Sequence, residues 1–254
     1  MINKEDYINE GLLLEGRNAV MEAVKHGRAI DRVLIKNGET EGSIRAVAAK
    51  AREAGYVVSQ VPKQELDQLS VTGRHQGIIA ICAAHEYAEI PDMLNAAKQR
   101  NEAPFIVMLD GVTDPHNLGA VIRTAEAAGA HGCVIPKRRS VGVTPAVVRA
   151  SAGAVEYLPV ARVTNLTAAV KELKEAGLWV CGASIDGKSL YEAQFSGPLA
   201  VVVGGEGSGL SRLVEENCDF TVSVPMKGRI ESLNASVAAA LILYEAARQR
   251  FKAL

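Results

Sequence analysis

An α/β fold is the class this sequence predicts: a small N-terminal α/β module followed by a larger C-terminal domain on a parallel sheet. Two observations carry that reading. Short apolar runs alternate with segments of helical period along the chain, the pattern of strand–helix–strand crossovers with mostly parallel strands. The alternation breaks once, over Tyr87 to Ala103, where Pro91, a short polar helix candidate and the polar run Lys98-Gln99-Arg100-Asn101-Glu102 read as a linker. A third observation is length: 254 residues at about 150 per domain allow one large domain or two small ones. The expected boundaries are residues 1–86, a linker over 87–102, and residues 103–254.

In the first module the patterning predicts helices over Gly16–His26, Gly42–Ala54 and Lys63–Leu69, with strands over Arg32–Lys36, Tyr56–Val61 and Gly77–Cys82. The second begins at the buried-strand run Phe105-Ile106-Val107-Met108-Leu109. In the helix that follows, Leu118, Val121, Ile122, Ala125 and Gly129 share one face, and Asn117 suits its N-cap. The opposite face carries Ala120, Arg123, Thr124 and Ala127, small enough to admit another chain or a ligand. Strands over Leu178–Cys181, Leu199–Val203 and Thr221–Val224 come next. The last helix is apolar nearly all round from Val237 to Leu243, so it is expected to be buried on both sides. In a C-terminal element this points to a homodimer interface; the alternative is a helix threaded through its own core.

Composition excludes several classes. Apolar residues are 48% and charged residues 22%, ordinary globular usage that rules out extensive disorder. With 28 Lys+Arg against 29 Asp+Glu, the chain does not bind nucleic acid by bulk charge, although a local basic groove stays open. Cys82, Cys133, Cys181 and Cys218 form no C-x-x-C pair and no zinc spacing, so buried thiols in a reducing cytosol are expected. Met1–Glu10 has three acids and no apolar core of a signal peptide. The longest uncharged apolar stretch, Ser232–Tyr244, is too short to span a membrane. A cytoplasmic protein without membrane attachment is expected.

Gly182-Ala183-Ser184-Ile185-Asp186-Gly187-Lys188-Ser189 matches the phosphate-binding pattern G-x-x-x-x-G-K-[ST] after a strand. The context fails, because Ser196-Gly197-Pro198 interrupts the helix such a loop must open. The run Gly204-Gly205-Glu206-Gly207-Ser208-Gly209 is no dinucleotide fingerprint, since Leu210 or Arg212 stands where a third glycine is required. It remains a glycine-rich loop at a strand end, where a backbone can approach a ligand. Asp110–Gly119 and Pro225–Ala235 are two further strand-to-helix loops denser in polar groups than a turn needs. Three such loops in one domain point to a composite site.

Together the three loops resemble the motifs of the SPOUT superfamily, in its SpoU-type branch of RNA ribose 2′-O-methyltransferases. Asp110, Pro115-His116-Asn117-Leu118-Gly119-Ala120 and Arg123-Thr124-Ala125 are similar to the first motif. Val203–Gly207 with Gly209-Leu210 is similar to the second, and Val224-Pro225-Met226 with Ser232–Ser236 to the third. Leu14–Val20 and His75-Gln76-Gly77 resemble the family's substrate-binding module, so the likeness runs from Leu14 to Phe251. Among subgroups it is most similar to enzymes that methylate a guanosine in the peptidyl-transferase loop of 23S ribosomal RNA. The resemblance implies a deep trefoil knot, S-adenosylmethionine as methyl donor with no metal, a homodimer through the C-terminal domain, and ribosomal RNA as partner. It implies that Gly204, Val224, Met226 and Leu233 hold the cofactor and that Arg123, Asn117, Glu206, Ser232 and Asn234 form the catalytic cluster. Arg17, Arg74 and His75 would contact RNA. A guanidinium is a poor base, so Arg123 is read as electrostatic support with an unidentified proton acceptor. The competing readings are the same reaction on transfer RNA, a non-catalytic RNA-binding protein, and an ATPase.

Overall fold

The structure, a computed structural model, describes residues 7–8, 11–38, 42–230 and 232–251. They divide into two compact units, Met1–Glu86 with Val143–Pro145, and Tyr87–Gly142 with Ala146–Leu254. The expectation about a leader in residues 1–10 lies outside the described residues, apart from Tyr7 and Ile8.

The first unit holds strands β1 (Leu13–Glu15), β2 (Ile30–Lys36), β3 (Val58–Val61) and β4 (Ile78–Cys82) and helices α1 (Arg17–Lys25), α2 (Gly42–Glu53) and α3 (Lys63–Leu69). The sheet order is β1-β4-β2-β3. Only β2 and β3 are parallel; β4 runs antiparallel to both of its neighbours, which departs from the mostly parallel expectation. The reason is the connection. The chain stays at one end of the sheet through the short α3 and the loop 70–77, so β4 starts where β3 stops. β4 lies between two strands and is buried along its whole length. The three-residue β1 was not expected from the sequence, being too short for alternation to show.

The loop before β4 is held by two carboxylates. Glu15 accepts from Ser70 Oγ (2.5 Å), Val71 N (2.5 Å), Thr72 N (3.2 Å) and Thr72 Oγ1 (2.8 Å). Asp67 Oδ1 faces His75 Nε2 at 2.9 Å, while His75 Nδ1 accepts from the Gly77 N–H at 3.0 Å. The His75 side chain is 7% exposed with both ring nitrogens engaged. The residue named as an RNA contact thus has its ring inside, where it shapes the loop.

The second unit is built on a six-stranded, wholly parallel sheet in the order β10-β8-β9-β5-β6-β7. Its strands are β5 (Phe105–Asp110), β6 (Gly132–Pro136), β7 (Val160–Val163), β8 (Trp179–Ser189), β9 (Leu199–Gly204) and β10 (Phe220–Ser223). The helices are α4 (Ile90–Gln99), α5 (Pro115–Ala127), α6 (Pro145–Ala150), α7 (Leu166–Glu175), α8 (Arg212–Glu215) and α9 (Ala235–Phe251). β5 and β9 are uninterrupted apolar runs because both faces of a parallel strand are covered. They pair from Phe105↔Leu199 to Asp110↔Gly204. Strand order reverses between them, and the crevice beyond such a reversal is where open α/β sheets take ligands.

Two expectations change here, over α4 and at the start of α5. The segment read as a linker over 87–102 contains α4, whose Ile90, Met93 and Ala97 are buried in the second unit's core. Its polar run is the end of that helix and the turn after it: Lys98 and Gln99 close α4, Arg100 is the C-cap, and a Glu89–Asp92 capping box holds the other end. The N-cap of α5 is Asp114, whose carboxylate accepts from His116 N and Asn117 N; Pro115 takes the first helical position, where its fixed φ suits. Asn117 is thereby one turn inside. Finally, α9 buries Ala239, Ile242, Leu243, Ala246 and Ala247 but leaves Val237, Leu241 and Tyr244 at 47%, 39% and 51% exposure. These recur at i, i+4 and i+7, so the single chain carries an exposed apolar stripe on the helix expected to be buried in a homodimer or in its own core.

No helix among the described residues is long and apolar enough to cross a membrane. All four cysteines are free. Burial pushes the Cys133 thiol up to about 12 and, with Glu215 and Asp219 nearby, Cys218 up to about 11. Such thiols are not nucleophiles near neutral pH.

Burial raises the Glu15 pKa, but its hydrogen bonds from Ser70, Val71 and Thr72 outweigh this and hold it below the ordinary glutamate value. Its stabilisation is therefore complete above the unfolded pKa and lost as pH falls through the folded one. Glu15→Gln should lower the urea midpoint of the first unit near pH 7 and flatten its decline between about pH 6 and about pH 3. A wild-type acid limb in the variant would show that Glu15 does not hold the loop.

Candidate functional site

The site forms where β5, β9 and β10 end. Gly204 closes β9 with its Cβ position 2.1 Å from Gly209 C and 2.5 Å from Leu210 N. At Gly205 a Cβ would lie 2.5 Å from Gly111 O. Side chains cannot occupy either place, so main chain is stacked on main chain beneath the loop. The Gly205 N–H donates to Asp110 O (2.8 Å), and the Gly209 N–H returns to Gly205 O (3.1 Å). Asp110 Oδ2 accepts from Ser211 N at 2.7 Å, so this carboxylate ties loop to strand.

That tight turn presents Glu206. Its Oε1 accepts from Asn117 Nδ2 (2.8 Å) and Asn234 Nδ2 (2.6 Å), and Asn234 Nδ2 also lies 3.0 Å from Asn117 Oδ1. The orientation of Asn234 is fixed independently. Its Oδ1 accepts from Ser236 N (2.9 Å), Ser236 Oγ (2.6 Å) and Val237 N (3.3 Å), capping α9. With the oxygen committed to the helix, the amide nitrogen must turn to Glu206. Glu206 Oε2 makes no hydrogen bond to any described residue.

Beside this triangle opens a cleft of about 940 Å³, a size suited to a nucleoside-sized ligand. Gly204, Glu206, Val224, Met226, Ser232, Leu233 and Asn234 all line it. Asn117 joins the cluster through Glu206. Arg123 does not line the cleft; it is exposed on α5 and makes no hydrogen bond or ion pair among the described residues, so a surface pair with Glu126 is not formed. In the first unit Arg74 is exposed, and Arg17 Nη1 donates to Ser43 Oγ (2.6 Å) with its Nε 3.3 Å from Gln76 Oε1.

One wall was not anticipated. β8 runs through the P-loop-like segment as a strand, pairing with β10 at Gly182 and again at Lys188 and Ser189. A short 3-10 turn at Leu190–Glu192 follows, so no helix offers its N-terminus to a phosphate. Residues 183–187 bulge from the ladder, and Ala183, Ser184, Ile185 and Asp186 line the cleft. The signal in the sequence is the glycine at each end of the bulge, in a segment that matches the phosphate-loop pattern but is rejected as one for want of a following helix. Among the described residues no three His, Cys, Asp or Glu side chains group as metal ligands.

Residues 104–244 match the SpoU rRNA Methylase family, and residues 13–88 match the family of RNA 2′-O ribose methyltransferase substrate-binding modules. The chain belongs to the SpoU family of RNA methyltransferases. YacO of Bacillus subtilis, named for the TrmH family of tRNA/rRNA methyltransferases, is 48% identical over 236 residues, 92% of this chain and 94% of its own. Among solved structures, the SpoU methyltransferase AviRb from Streptomyces viridochromogenes, in complex with AdoMet, is 28% identical with a TM-score of 0.58, covering 94% of this chain and 90% of its own. An AdoMet-bound rRNA methyltransferase from Sinorhizobium meliloti is 26% identical with a TM-score of 0.57, covering 96% and 90%.

Asn234→Ser keeps a capping oxygen and removes the amide that holds Glu206. The cap change should cost well under about 1 kcal/mol. Amide exchange of Gly205–Gly209 should quicken about tenfold, the low end for losing a hydrogen bond to a charged group. Unchanged exchange would reduce Asn234 to a helix cap.

Proposed function

We propose that this protein transfers a methyl group from S-adenosylmethionine to the ribose 2′-hydroxyl of a guanosine in the peptidyl-transferase loop of 23S ribosomal RNA. The observation that carries the reading is the Asn117–Glu206–Asn234 triangle set against a cleft whose floor is main chain. Cofactor complexes of AviRb and of the Sinorhizobium rRNA enzyme, together with the SpoU rRNA family match, support it.

The cleft fits the donor on its own evidence, since the packed main chain of Gly204–Gly209 forms one wall and the residues Val224–Met226 that line another are half-buried to exposed. Gly204, Val224, Met226 and Leu233 would hold the nucleoside part of S-adenosylmethionine. When bound, that group supplies an activated methyl and needs no metal. The chain's task is to align the ribose oxygen and stabilise the charge that develops on it. Glu206, with one oxygen held by two amides and the other uncommitted, is positioned to hydrogen-bond the ribose, and Ser232 stands on the same wall. Arg123 supplies positive charge, from a second copy of the chain, because its own cleft does not include it. The dimer forms through the exposed stripe Val237, Leu241 and Tyr244 of α9. A trefoil knot in residues 103–254, RNA contacts by Arg17 and Arg74, and a cytoplasmic setting complete the proposal.

Methyl transfer to a 23S transcript should persist in EDTA, and mapping should find the modified guanosine in the peptidyl-transferase loop. Transfer confined to transfer RNA would move the substrate, and a strict metal requirement would overturn the chemistry. Arg123→Ala should lower the single-turnover rate by about two to three orders of magnitude, and Arg123→Lys should recover it only in part. Near-wild-type rates in both variants would remove Arg123 from the mechanism. Light scattering should give twice the 26.9 kDa chain mass, with Leu241→Glu folded and monomeric; a monomeric wild type would refute the interface.

A further inference from the structure

Between Glu126 and Glu156 the sequence has no acidic residue and four cations, Lys137, Arg138, Arg139 and Arg149, in a chain of net charge −1. Three of them follow one another in the loop leaving β6. All six strands of this sheet are parallel, so that loop emerges on the same edge as Asp110 and Gly204. β6 neighbours β5, and β5 neighbours β9. The loop therefore begins roughly 10 Å along the sheet edge from the floor of the cleft, two strand spacings away.

Lys137 is tied into the fold: its N–H donates to Val163 O (2.7 Å) and its carbonyl accepts from Arg162 Nη2 (3.3 Å). Arg138 and Arg139 differ. Both are exposed, and neither makes a hydrogen bond or ion pair among the described residues. Arg139 moreover has φ 58°, a left-handed backbone that costs an L side chain and would cost glycine nothing. Local geometry thus argues against an arginine there, and strain of this kind collects at functional positions. The loop is nevertheless rigidly attached to the site. Ser140 Oγ and the Val141 N–H each donate to Val112 O at 3.0 Å, in the loop that leads from Asp110 to Asn117.

Adjacent guanidiniums repel each other, and no acid from this stretch of chain offsets them. A ligand with closely spaced anionic oxygens would, and a guanidinium fork matches a phosphate bidentately. We propose that Arg138 and Arg139 grip the RNA sugar-phosphate backbone beside the reacting nucleotide, an RNA contact within the second unit itself. This rests on the RNA methyltransferase reading above and adds the surface that positions the strand over the cleft.

The test uses the full chain, a 23S rRNA transcript as probe, and the double variant Arg138→Ala with Arg139→Gly, which removes both charges and the left-handed strain together. Transcript affinity in low salt should fall about tenfold or more, and the slope of log K against log KCl should shrink by about 1 to 2, the loss of two phosphate contacts. KM for RNA should rise while kcat at saturating RNA and S-adenosylmethionine affinity stay at wild type. Replacing both arginines by lysine should keep the salt slope. Melting should occur no lower than in wild type; if it does, Arg138→Ala alone carries the test with half the slope change. An unchanged slope and affinity would overturn the proposal. If wild type transfers no methyl to any RNA, the enzymatic reading fails, and the binding isotherms still decide the loop.

Discussion

At the end of β9 the chain passes over itself with no room for a side chain. A Cβ at 204 would stand 2.1 Å from Gly209 C, and one at 205 would stand 2.5 Å from Gly111 O. Backbone against backbone cannot yield as a flexible side chain does, so this contact fixes the loop 205–209 on the entrance to α5. The buried pairing of β5 with β9 brings the segments there, from Phe105↔Leu199 to Asp110↔Gly204. Everything chemical follows from that placement. Glu206 reaches Asn117 and Asn234 because the turn carrying it has nowhere else to go.

The triangle itself contributes little to stability. Glu206 and Asn234 are exposed, so even charge-assisted hydrogen bonds there are weakened by water. The sheet core sets the geometry, and the helix caps set the orientation. Asp114 caps α5 and leaves Asn117 a turn inside with its amide free for Glu206; Asn234 caps α9 with its oxygen and points its nitrogen the same way. Each cap is worth about 1 kcal/mol to its helix. Its larger consequence is that an otherwise rotatable amide has one direction.

The first unit solves a similar problem with carboxylates. Glu15 gathers Ser70, Val71 and Thr72, and Asp67 holds His75 beneath them, so the loop 70–77 is shaped from inside. Cations such as Arg74 remain outside on that loop. The carboxylates position the buried Ser70 and His75, and the exposed Arg74 is what a polyanion would meet.

Strand cores and the three polar loops were legible in the sequence, because apolar runs such as Phe105–Leu109 and Leu199–Val203 and turn chemistry act over a few residues. The same local reading failed where two structures share one pattern. Asn117 and Asp114 are both good caps, and the Pro115 that decides between them was passed over. The polar run 98–102 suits a linker as well as the C-terminal end of a helix, until Ile90, Met93 and Ala97 find a core. Gly182–Ser189 spells a phosphate loop that the break at Ser196–Pro198 already rejects, but only pairing with β10 makes it a bulged strand. By itself the sequence determined apolar strands such as β5 and β9, amphipathic helices such as α2 and α5, and which loops carry polar groups, since these depend on neighbours along the chain. The tertiary structure decided the reversal of β4, the exposed stripe on α9, the separation of Arg123 from the cleft, and the meeting of Asn117, Glu206 and Asn234. The members of that triangle are 28, 89 and 117 residues apart, and contacts at such separations are set by strand order and crossover, which no local pattern encodes.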